Sequence, residues 1–96
     1  YSVVNDFIKK NYAIFCDKDE RFASQWGHIR ELAERASDSN IFEKMVEEYL
    51  DHGGAAEKWR YKKNTLMDFI KTNKDKPEWK EVMINLSAEM AKKCKR

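Results

Sequence analysis

Apolar side chains recur at intervals of three and four along almost all of this 96-residue chain, and only one proline and three glycines interrupt them. That pattern leaves one economical way to make a core. Each segment buries one face of a helix against its neighbours. No stretch sustains the two-residue alternation of a half-buried strand. The expected fold is therefore all-α, a compact antiparallel bundle of five helices. A sixth is expected if the fourth segment divides. Short loops make successive helices neighbours, and the length suits one domain over residues 1–96.

The punctuation marks the elements. The first helix spans about Val3 to Phe15, with Ser2 as its cap and Val3, Val4, Phe7, Ile8, Tyr12 and Phe15 as its stripe. The acidic turn Asp17-Lys18-Asp19-Glu20 follows, and either aspartate suits the start of a second helix. Phe22, Trp26, Ile29, Ala33 and Ala36 face inward on that helix, with Leu32 beside them. Asn40 and Glu43 have the spacing of a capping box that opens a third helix through Ile41, Phe42, Met45, Val46, Tyr49 and Leu50. His52-Gly53-Gly54 closes it. The fourth segment runs from about Ala55 to Thr72, and a second capping box, Thr65 with Asp68, offers a fresh start at Leu66. Pro77 is expected in the first turn of the last helix, which carries Trp79, Val82, Met83, Leu86 and Met90. The chain contains no evident internal repeat. Trp26, Trp59 and Trp79 are expected to meet in one core, and the four methionines to fill it.

Charge organises the surface. Residues 1–50 hold seven Lys/Arg against ten Asp/Glu, whereas residues 51–96 hold twelve against seven. Within this asymmetry, Glu43, Glu47, Glu48 and Asp51 make an acidic stripe on the third helix. Like charges four apart on a helix are unfavourable, so an uncompensated stripe points to a cationic partner. The run Lys58-Trp59-Arg60-Tyr61-Lys62-Lys63 interleaves four cations with two aromatics. Its cations can meet acidic groups on a protein. They can also meet phosphates, with Tyr61 stacking on a base. The net charge of +2 is modest for a nucleic-acid module, so that reading stands second.

Chemistry is poorly represented. No P-loop, nucleophile elbow, HExxH or glycine-rich fingerprint occurs. Ser24 precedes His28 by one helical turn, but nothing in the sequence supplies an oxyanion hole. Cys16, His28, His52 and Cys94 are too widely spaced for a zinc site, and the acidic turn lacks the glycine and final ligand of a calcium loop. No catalytic role, metal or cofactor is expected. No apolar run reaches the roughly 20 residues of a membrane span. Cys16 and Cys94 lie near opposite ends and allow one bridge, but two free thiols in a reducing, intracellular compartment, cytoplasmic or nuclear, are the favoured expectation. The chain begins at Tyr1, as a piece of a longer protein would.

Three places are similar to the death-domain superfamily of helical interaction modules. Trp26, Ile29 and Ala33 look like its tryptophan-led second helix. Trp59, followed by Thr65-Leu66 and Phe69-Ile70, resembles its later Trp…Thr-Leu…Leu stretch. An acidic third segment beside a basic fourth is similar to the charged faces by which such domains assemble. The resemblance implies an intracellular adaptor domain, active in signalling and without catalytic activity. The expectation is a protein–protein interaction domain that binds another protein, or itself. Glu43, Glu47, Glu48 and Asp51 would serve on one side, and Lys58, Arg60, Tyr61, Lys62 and Lys63 on the other.

Overall fold

In the computed structural model, five helices appear in the described part of the chain: α1 (Ser2–Phe15), α2 (Arg21–Arg35), α3 (Ser39–His52), α4 (Lys63–Asn73) and α5 (Trp79–Cys94). No strand occurs among the described residues. The structure describes residues 1–15, 21–52 and 62–94, with side chains over 1–12, 23–52 and 62–94. The expected roles of Phe15, Phe22 and Trp59, and the possible cap at Asp17 or Asp19, lie outside these residues. So does the first part of the expected fourth segment, and the described residues supply no sixth helix.

One apolar cluster takes side chains from every helix. Val4, Phe7 and Ile8 come from α1, and Trp26, Ile29, Leu32 and Ala33 from α2. Phe42, Val46 and Leu50 enter from α3, Leu66, Met67 and Ile70 from α4, and Val82, Met83, Leu86 and Met90 from α5. These follow the helical stripes expected from the sequence, except at Tyr12 and Ile41, which were expected to face inward and are exposed. The most extensive helix–helix contact joins α2 to α5. Ala33 on α2 and Ser87 on α5 are fully buried. Small residues at such a contact permit close approach of two helix axes. The Cα radius of gyration is 12.1 Å, close to the ~12.5 Å expected of a compact chain this long.

The tryptophans divide between interior and margin. Trp26 is fully buried. Trp79 is only half-buried, its ring 5.6 Å from that of Phe42 and tilted by 33°. Phe42 thereby takes part of the role expected of a tryptophan cluster. Met67, Met83 and Met90 are buried and Met45 packs at the edge, as filler would.

Helix starts correct the expectation in several places. α1 already begins at Ser2, and Asn5 N donates to Tyr1 O at 3.1 Å, so Ser2 lies inside the first turn. α3 is capped by Asp38, whose Oδ1 accepts from Ile41 N at 2.9 Å. Asp38 satisfies the third amide of the helix, the one a capping side chain normally serves, and Asn40 already lies within the helix. α4 begins at Lys63 after Lys62, without a side-chain cap, which puts Thr65 in its first turn and removes the expected start at Leu66. α5 begins at Trp79, two residues after Pro77. A turn joins Asn73 to Trp79, with Lys76 N donating to Asn73 O and Trp79 N to Lys76 O.

The expectation of free thiols is overturned. Cys94 is disulfide-bonded, and no cysteine among the described residues is free. The other cysteine of the chain, Cys16, lies outside the described residues.

Candidate interaction surfaces

The acidic stripe on α3 is partly neutralised from within the chain. α3 and α4 pack together, and this brings Lys63 Nζ to donate to Asp51 Oδ1 at 2.6 Å. At the C-cap of α4, Lys74 Nζ donates to Asn40 Oδ1 at 3.3 Å and lies 3.6 Å from Glu43 Oε2. The two residues read as a capping box thus form a clasp for a lysine 34 positions on. Lys62 is half-buried beside Lys63. These pairs are only partly exposed, and pairs near the surface each contribute about 0–1 kcal/mol, so they orient α4 on α3 more than they hold it.

Glu47 and Glu48 differ from their neighbours. Both are exposed, and neither makes an ion pair among the described residues. With Lys44, Asp51 and His52 they border a shallow depression of about 210 Å³. Of the basic run, Lys58, Arg60 and Tyr61 lie outside the described residues. Lys63 is engaged by Asp51, which reduces what it offers to a phosphate.

Ser24 and His28 share a polar cleft on α2 with Arg30, Glu31 and Glu34. Arg30 there binds Glu34 at 3.3 Å. His28 lies against Tyr49 of α3, ring centroids 4.3 Å apart, so it serves packing between helices. Burial raises the Tyr49 hydroxyl above its ordinary pKa. The Tyr1 hydroxyl, on α1's edge, donates to Glu81 Oε2 at 2.7 Å, and that bond raises its pKa too. Among the described residues no His, Cys, Asp and Glu group is placed to hold a metal ion. No described helix is long and apolar enough to cross a membrane.

A second surface escaped the sequence reading. A groove of about 340 Å³ runs between α1 and α4. Phe7 and Phe69 meet on its floor, edge to face, with centroids 4.8 Å apart. Its walls repeat each other. Asp6-Phe7-Ile8-Lys9-Lys10-Asn11 and Asp68-Phe69-Ile70-Lys71-Thr72-Asn73 agree at five of six positions, which corrects the expectation of no internal repeat. The groove is lined by matching positions of both segments: Asp6 and Asp68, Phe7 and Phe69, Lys10 and Thr72, Asn11 and Asn73. Val3 and Thr65, one turn earlier, match as well. Each asparagine donates its Nδ2 to the carbonyl of its own phenylalanine, Asn11 to Phe7 O at 3.0 Å and Asn73 to Phe69 O at 2.8 Å. Ile8 and Ile70 turn to the core. The five-of-six match of the two hexapeptides was the available signal. It is short, and its halves are 62 residues apart, so only the fold gives it meaning.

Comparison with protein-family models, with curated proteins and with solved structures finds no match.

Proposed function

We propose that this chain is a non-catalytic helical protein–protein interaction domain, its helices arranged as an antiparallel bundle, of the kind that the death-domain resemblance implies. Its binding face is the outer surface of α3 at Glu47 and Glu48. The observation that carries this reading is a contrast within one helix. Glu43 and Asp51 are compensated by Lys74 and Lys63, whereas Glu47 and Glu48 between them stay exposed and unpaired among the described residues. Adjacent like charges left uncompensated favour a partner that brings positive charge. The disulfide at Cys94 suits an oxidising compartment, which departs from the intracellular setting that the death-domain resemblance implies.

Replacement of both residues, Glu47→Lys with Glu48→Lys, tests the assignment. Immobilised wild-type and variant domains are compared for what each retains from a native extract at low and high salt. The expected outcome is an unchanged helical spectrum with loss of the salt-sensitive partners. Equal retention by both proteins would remove the α3 face from consideration.

A further inference from the structure

The α1–α4 groove has a charge pattern of its own. Asp6 and Lys10 stand on one wall, and Asp68 and Lys76 on the other. None of the four makes an ion pair among the described residues. Two acids and two bases cancel, so the rim suits neither a polyanion nor a polycation. The order of signs matters more. On α1 the acid precedes the base by one helical turn, and at this spacing the two side chains share a face. The opposite wall has the same order, Asp68 before Lys76. A face with that arrangement is complementary to itself. When two such helices lie antiparallel across a two-fold axis, the acid of each falls over the base of the other. Between the charges, half-buried Val3 and Phe69 offer apolar contact.

We propose that a second copy of this chain docks in the α1–α4 groove, with the two α1 helices antiparallel and Asp6 of each copy against Lys10 of the other. The apolar strip is narrow, so association is weak and salt-sensitive, with the charges setting register and direction. This surface is separate from the α3 face, and either can fail without the other.

Sedimentation equilibrium of the oxidised protein over a wide concentration range reads the association directly. The weight-average mass of the wild type should rise from 11.5 kDa towards twice that value at low salt. Lys10→Asp turns both contacts repulsive and should weaken association about tenfold. Asp6→Lys should do the same. The double variant restores opposite signs on both sides of the axis and should recover most of the wild-type association. Helical content by circular dichroism is measured for every variant. Glu47→Lys with Glu48→Lys should leave the association unchanged. The proposal is overturned if the wild type remains a monomer at all concentrations. It is also overturned if Lys10→Asp associates like the wild type, or if the double variant is no better than the singles. Rescue failing while the α3 variant alone abolishes association would move self-association to the α3 face.

Discussion

Phe7 on α1 and Phe69 on α4 meet edge to face, their centroids 4.8 Å apart and their planes at 61°. The ring edge of one is set against the ring face of the other, the arrangement favoured by the aromatic quadrupole. They bridge two helices that make no extensive contact of their own. Urea unfolding of Phe7→Leu, Phe69→Leu and the double variant should give a coupling of about 0.5–1.5 kcal/mol. Additive single effects would mean that the rings act independently.

The two described tryptophans should differ in weight. Trp26 is fully buried in the core cluster, while Trp79 packs at the edge against Phe42. Trp26→Ala should cost about 3–5 kcal/mol, and Trp79→Ala distinctly less, judged by denaturation midpoints. A larger loss at Trp79 would contradict the placement of the core.

Gly27 lies inside α2, and a methyl group added there would meet nothing within 4 Å. Glycine in a helix interior costs roughly 0.5–1 kcal/mol relative to alanine, because the unfolded chain loses more freedom on folding. Gly27→Ala should therefore stabilise the protein by about that amount, raising Tm by a few degrees. A lower Tm would show that the site is less open than the structure gives it.

Cys94 is held in a disulfide. A thiol reagent applied to the denatured, unreduced protein should leave Cys94 unlabelled, and reduction should expose it. Cys94→Ser should lower stability by about 2–4 kcal/mol through the freedom it restores to the unfolded chain. Stoichiometric labelling of Cys94 before reduction would contradict the bond.

Tyr49 supplies a pH dependence. Its hydroxyl is raised above the ordinary value of 10.0 by burial, so the folded state retains the proton more firmly than the unfolded state. The contribution is complete below pH 10 and is lost as pH rises through the folded value. Stability should therefore decline with pH on the alkaline side, and Tyr49→Phe should make that decline shallower without removing it, since Tyr1 is shifted in the same direction. An unchanged slope in denaturant titrations across this range would place the cause elsewhere.

The inward faces of the helices were legible before any coordinates. Val4, Phe7 and Ile8, then Trp26, Ile29 and Ala33, then Phe42, Val46 and Leu50, recur at the helical period and are buried as that period requires. Capping was less legible. Asp38 and Asn40 stand two residues apart, and both satisfy the local rule for starting α3. Asp38 caps the helix, while Asn40 and Glu43 are held by Lys74, a residue no local rule connects to them. The acidic stripe was visible as well, but its division into paired Glu43 and Asp51 and unpaired Glu47 and Glu48 was not, because the lysines come from α4.

Helix identity and the buried stripe depend on neighbours three and four residues away, so the order of residues along the chain determined them. Which charges neutralise one another, and how two near-matching hexapeptides come to wall a single groove around Phe7 and Phe69, depend on how helices separated by dozens of residues cross. Only the tertiary structure decided those, because contacts of that range follow from the packing of whole faces and leave no spacing in the sequence to read.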